Sequence, residues 1–146
     1  MTIRLATDAD LAAIVDMGAK FHAASGEHVP YCRESAEASA RSVMGMGFIL
    51  IAEFEGEPIG MLGIVIAPMF FNFAVTFAQE LMWWVDTDAR GSGAAMRLIR
   101  EAEGEARDRG ASRIHMLRLP NSPAHVASIY DRLGYTTGEV AHVKEL

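Results

Sequence analysis

Cysteine is almost missing from this chain of 146 residues: Cys32 stands alone, so no internal disulfide and no cysteine-rich metal site can form. That scarcity points to a reducing compartment, and a cytoplasmic location is expected. Cys32 itself reads as an incidental small side chain rather than a nucleophile. The five histidines, at 22, 28, 115, 125 and 142, never fall at a ligand spacing such as His-x-x-x-His, so no metal is expected. Positive charge is also scarce, with 13 Lys and Arg against 19 Asp and Glu and a net charge of -6. This balance argues against a nucleic-acid partner and favours a cationic substrate. Repeats, linkers and low-complexity segments are lacking. Met1-Thr2-Ile3-Arg4 runs into Asp8 and Asp10, so no secretory signal is expected.

A membrane span is lacking too, despite an uncharged stretch from Met61 to Ala78 of nearly spanning length. Gly60, Gly63, Pro68 and Asn72 interrupt it, and Glu55-Gly56-Glu57-Pro58 just upstream is a turn signal. Two strands joined by a loop explain it better than a membrane helix. Met69, Phe70, Phe71 and Phe73 then belong to that loop. Aromatics there are tucked into the core, line a pocket, or are covered by a second subunit, and a homodimer is compatible with this pattern.

What is present is a folded composition, 51% hydrophobic and 22% charged, at a length that suits one core, so residues 1–146 are expected to form one domain. Thr2 to Ala6 reads as a strand. Thr7 and Asp10 then form a capping pair for a helix burying Leu11, Ile14, Val15 and Phe21. A second helix is expected over Glu34 to Met44, stopped by Gly45-Met46-Gly47. Phe48 to Phe54 and Ile59 to Ile66 read as a hairpin around the Glu55 to Pro58 turn, and Glu80 to Val85 as the next strand. Ala95, Leu98, Ile99, Ala102 and Ala106 share one face of the clearest helix, which Gly110 ends. Ser112 to Leu119 reads as a strand. Ser122 is expected to cap a last helix, with Pro123 at its first position, burying Val126, Ile129, Tyr130 and Leu133. Tyr135 to Leu146 is expected to add one or two strands.

Arg90-Gly91-Ser92-Gly93-Ala94-Ala95 joins the apolar strand Leu81 to Val85 to that clearest helix. A strand ending in glycines before a helix start leaves several N–H groups unpaired, with the positive end of the helix dipole behind them. Phosphate is the anion such a cradle suits. Gly91 and Gly93 permit close approach or positive φ, and Arg90 adds a charge-assisted donor. Three other motifs fail on the same residues. A Walker loop needs Gly-Lys-Ser/Thr, where Gly93 is followed by Ala94 and Ala95. A dinucleotide fingerprint needs Gly or Ala where Met96 stands, and a nucleophile elbow on Ser92 is spoiled by Arg90.

The surviving pattern, Arg-x-x-Gly-x-Ala, resembles the Gln/Arg-x-x-Gly-x-Gly/Ala signature of the GNAT superfamily of N-acetyltransferases. A second family pattern stands in the right order: Asn121, then Ala127, Tyr130 and Gly134-Tyr135, matching Ala-x-x-Tyr-x-x-x-Gly-Phe/Tyr. The order of elements is similar to that fold over nearly the whole chain. The resemblance implies an α/β (α+β) fold with a mixed sheet of six to seven strands flanked by about four helices. It also implies acetyl-coenzyme A as co-substrate and an amine acceptor, small molecule or peptide.

The chemistry so implied is attack of an amine on a thioester. Holding a lysine-like amine neutral at pH 7 costs about 4 to 5 kcal/mol, from a gap of roughly 3.4 pH units, so a base or a desolvating pocket is needed. Glu80 is the candidate base, directly or through water; the plainer reading is a solvated charge at a strand end. Tyr130 occupies the place of the family's tyrosine that protonates the departing thiolate, and otherwise reads as a core tyrosine. By the resemblance, Arg90, Gly91, Ser92, Gly93, Ala94 and Ala95 hold the pyrophosphate, Val85 and Asn121 bind the pantetheine arm, and a backbone N–H near Trp84 or Val85 stabilises the oxyanion. Arg97 or Arg100 is a candidate for the 3′-phosphate. His28, Tyr31 and Trp83 are candidate acceptor contacts, with His28 and Tyr31 otherwise reading as loop residues. Trp83 and Trp84 alternate across a strand, so they face opposite sides. A domain that binds an acyl-coenzyme A without turning it over, as a sensor or interaction module, is the alternative.

Overall fold

The computed structural model describes residues 1–146. Its elements are β1 (Thr2–Leu5), α1 (Leu11–Ser25), α2 (Arg33–Met46), β2 (Gly47–Phe54), β3 (Glu57–Met69), β4 (Asn72–Val85), α3 (Ala94–Asp108), β5 (Ala111–His115) and α4 (His125–Leu133), with 3-10 turns at Asp8–Asp10 and Thr87–Ala89. The strands form one sheet in the order β1-β2-β3-β4-β5. Neighbours are antiparallel except β4 and β5, which are parallel and joined through α3.

Both faces of the sheet are covered, which is why β2 is an unbroken apolar run rather than an alternating one. Ile49 and Ile51 pack with Leu11, Ile14 and Met17 of α1 and Ala40 and Val43 of α2. Phe48, Leu50 and Ala52 pack with Leu98, Ile99, Ala102 and Ala106 of α3. The Thr7 and Asp10 capping pair forms, with the Thr7 N–H donating to Asp10 Oδ2 at 2.8 Å. Arg4 forks onto the same carboxylate and holds it down at about pKa 2, so this contribution to stability is lost only in strong acid.

Five strands are present, not six or seven. Residues 136–146 carry no regular element, and β5, the edge they would extend, is only 5 residues long. The chain expected as strand to Leu119 leaves the sheet after His115, because side chains take the Leu117 peptide groups that a ladder would use. The expected loop at 69–73 is instead the tight end of a long hairpin, with β3 running to Met69 and β4 starting at Asn72. Ser122 does not cap α4; its Oγ accepts from the Leu119 N–H at 3.0 Å and closes a local turn. Gly45 lies inside α2 rather than ending it.

Gly47, where α2 passes into β2, has backbone against the place a side chain would take: an added Cβ would lie 2.1 Å from Ile64 O and 2.8 Å from Val65 Cα. Around Gly45 the same test meets nothing within 4 Å. Gly47→Ala should therefore separate β2 from β3 and lower stability by about 1–3 kcal/mol, whereas Gly45→Ala should raise it by about 0.5–1 kcal/mol, both read by urea unfolding.

Candidate active site

The register of β4 against β3 slips by one residue, from Gly63↔Met82 to Ile64↔Glu80, so Leu81 is an extra residue on β4. A bulge of this kind reverses the facing of everything beyond it. Ala78 faces α3, and so do Trp83 and Val85, while Met82 and Trp84 face α1 and α2. Glu80 and Trp83 are thereby brought to the α3 and α4 side together, which simple alternation along the strand forbids. Trp84 takes the opposite face, edge-on to Phe21 at 6.5 Å, with its N–H on Asp86.

Pairing between β4 and β5 ends at Gln79↔His115. From Glu80 to Val85 the β4 edge has no neighbouring strand. The Glu80 carboxylate instead accepts the Leu117 N–H at 2.7 Å, and the Tyr130 hydroxyl of α4 donates to the Leu117 carbonyl at 2.6 Å. Both candidate acid-base groups thus hold the backbone of one residue, Glu80 through its N–H and Tyr130 through its carbonyl. Glu80 is buried, and burial pushes its carboxyl up to about 7, with the Leu117 N–H pulling partly back. The same burial, reinforced by the negative Glu80, raises the Tyr130 phenol well above its ordinary value, and Arg118 opposes this. Trp83 and Tyr135 flank the phenol ring at centroid distances of 6.0 and 5.4 Å. The Trp83 indole N–H is buried with no acceptor.

At the far end of the same strand lies the glycine loop. Gly91 and Gly93 have φ of 90° and 89°, a region that favours glycine. The Ser92 N–H is used by Ala89 O and the Ala94 N–H by Ser92 Oγ, and the first backbone bond of α3 is Arg97 N–H to Gly93 O. The amides of Gly91, Gly93, Ala95 and Met96 are left without an acceptor in the protein. Free amides at a helix start are the chemistry a phosphate group needs, so these residues fit it. A cavity of about 300 Å³ opens over them, lined by Val85, Arg90, Gly91, Gly93, Ala95 and Met96 on one side. Its other wall is His125, Ser128, Ile129 and Arg132 of α4.

Sequence reading missed that wall, although His125, Ser128 or Ile129, and Arg132 recur at the spacing of one helix face. Other expected residues are placed differently. Arg90 folds back, its Nε donating to Val85 O at 3.2 Å and its guanidinium 4.9 Å from the Trp84 ring centroid. The Asn121 amide donates to Ala24 and Ser25 carbonyls, closing the end of α1 instead of facing the cavity. Tyr31 donates to Val15 O at 2.7 Å and locks the α1 and α2 connection, where His28 is exposed. Arg97 is tied to Met1 O.

A family model, acetyltransferase (GNAT) family, matches residues 19–135. The chain belongs to this family. Solved structures share the fold. Ribosomal-protein-alanine N-acetyltransferase from Brucella melitensis biovar Abortus 2308 is 20% identical, with 100% of each chain covered and a TM-score of 0.79. A Trypanosoma brucei acetyltransferase is 18% identical over 99% of each chain, TM-score 0.76. Glucosamine-6-phosphate N-acetyltransferase from Arabidopsis thaliana is 13% identical, covering 99% of this chain and 97% of its own, TM-score 0.76. At these identities the likeness establishes the fold alone. No curated protein matches the sequence. No helix is long and apolar enough to cross a membrane.

Glu80 makes a pH prediction. Its native pKa of about 7 lies above the unfolded value of 4.5, so the native chain binds the extra proton and stability falls as pH rises between those values. The loss is of the order of 3 kcal/mol. Urea unfolding from pH 4.5 to 8 should show this decline in the wild type and its loss in Glu80→Gln; parallel curves would refute the buried-carboxyl assignment.

Proposed function

We propose that residues 1–146 form one acetyltransferase domain that moves an acetyl group from acetyl-coenzyme A to a primary amine, on a small molecule or a peptide, by direct attack. The observation that carries this reading is the unpaired edge of β4. Free amides lie at its Val85 end, and Glu80 and Tyr130 lie about 16 Å back along the strand. An extended acyl-carrying arm laid along that edge joins the two ends. The lone Cys32 supports a reducing, cytoplasmic setting.

Each group has a task. The amides of Gly91, Gly93, Ala95 and Met96 hold the pyrophosphate, with Arg132 and Arg90 near enough to add positive charge. Polar groups on the open β4 edge pair with the arm that the missing strand would otherwise cover. Acetyl-coenzyme A supplies the activated carbonyl carbon and a thiolate leaving group. Glu80 takes a proton from the attacking nitrogen; Oε2 holds Leu117, and Oε1 accepts no bond within the protein. A carboxyl at about 7 is ionised in half of the molecules at neutral pH and is a far stronger base than an exposed glutamate. Tyr130 stays protonated across the working range and gives its proton to the departing sulfur, exchanging the Leu117 carbonyl for it. The proton on Glu80 then replaces it through solvent. The net charge of -6 favours cationic acceptors.

Thiol release from acetyl-coenzyme A across a panel of amines tests the reading, with binding followed separately by thermal shift. Tyr130→Phe should lower turnover about 100-fold or more while leaving coenzyme A stabilisation intact. In the wild type kcat/KM should rise with pH through about 7, as Glu80 ionises, and Glu80→Gln should abolish that inflection along with most activity. Unchanged turnover in both variants would refute the assignments. Stabilisation by coenzyme A without thiol release on any amine would make the chain a non-catalytic binder.

A further inference from the structure

We propose that the phenylalanine tip of the β3–β4 hairpin is a self-association surface, packing against the same tip of a second copy of this chain. β2 pairs with β3 only as far as Gly47↔Val65, and β5 meets β4 only from Thr76↔Ala111. Residues 67–75 therefore extend past both neighbouring strands as a two-stranded arm. Such an arm has little stability of its own in water. At its end Phe70, Phe71 and Phe73 are 93%, 90% and 82% exposed, so neither the core nor the cavity of the active site absorbs them. Phe70 and Phe71 already stand edge to face, with centroids 5.4 Å apart and planes at 86°. Three exposed rings within four residues of one hairpin tip form a patch of the kind that marks an interface.

Charge selects the occupant. Residues 58–79 carry no ionisable side chain, in a chain whose net charge is -6. Two copies repel across most of their surfaces and least across this arm. The area also suffices. At 150–250 Å² per ring, the tip offers roughly 500 Å² per copy and about 1,000 Å² for the pair, the threshold for a specific though weak interface. A two-fold axis needs only one patch that fits itself. A lipid surface is the poorer fit, because no Lys or Arg occurs from residue 42 to residue 89 to meet anionic headgroups.

Sedimentation velocity of the full chain, from low to high micromolar, tests this. The wild type should pass from monomer to dimer, and Phe70→Ser/Phe71→Ser/Phe73→Ser should raise the dimer dissociation constant about 100-fold or more, with the melting temperature unchanged when both are read at concentrations where the wild type is monomeric. In a Cys32→Ser background, Asn72→Cys, which lies between the rings, should form an interchain disulfide on oxidation. A wild type that stays monomeric, or a dimer equally strong in the triple variant, overturns the proposal. Loss, in the triple variant, of co-sedimentation with phosphatidylcholine and phosphatidylglycerol vesicles, with no self-association of the wild type, overturns it in favour of a membrane.

Discussion

Parallel pairing between β4 and β5 stops at Gln79 and His115, and the site exists because two side chains keep it stopped. Had the ladder continued, the Leu117 peptide would have met the backbone of β4 and closed the edge. Glu80 takes the Leu117 N–H and Tyr130 the Leu117 carbonyl, so both backbone groups of that residue are satisfied while the strands diverge. The same two bonds set the chemistry. They hold a buried carboxyl and a half-buried phenol on the backbone of one residue, where burial raises both pKa values. One group is left poised to take a proton near neutrality and the other is left holding its own.

The bulge at Leu81 is the condition for that arrangement. Without the extra residue, Trp83 would face α1 and α2 while Glu80 faced α3, and the ring that now flanks Tyr130 would be elsewhere. It also lets β4 deliver Val85 and the glycine loop to the start of α3 on the same side. The free amides there and the pair at Glu80 and Tyr130 lie at two ends of the same unpaired strand edge. α4 serves both: Tyr130 reaches Leu117, and His125, Ser128 and Arg132 wall the cavity over the loop.

Much of this is legible in the sequence, for identifiable reasons. Gly91 and Gly93 announce a positive-φ turn because few other residues adopt one, and the α3 stripe of Leu98, Ile99, Ala102 and Ala106 announces which face is buried. Tyr130 is visible through its spacing from Gly134-Tyr135, although spacing alone fits a core residue equally well. The bulge is not legible, since Leu81 differs from its neighbours only by register. The partners of Asn121 are not legible either, because the carbonyls at the end of α1 that take its amide lie 96 and 97 residues away in the chain. The missing terminal strands have a similar origin. Apolar residues at Val140 and Val143 suggest pairing, but β5 offers an edge of only 5 residues.

The proposed function requires that the free amides of the glycine loop and the clamped backbone of Leu117 be two ends of one coenzyme A groove. Amide resonances of the isotopically labelled chain, followed during titration with coenzyme A, test it most directly. The account predicts the largest shifts at Gly91, Gly93, Ala95 and Met96, with Leu117 responding in the same titration. Shifts confined to other regions, or none at saturating coenzyme A, would contradict it.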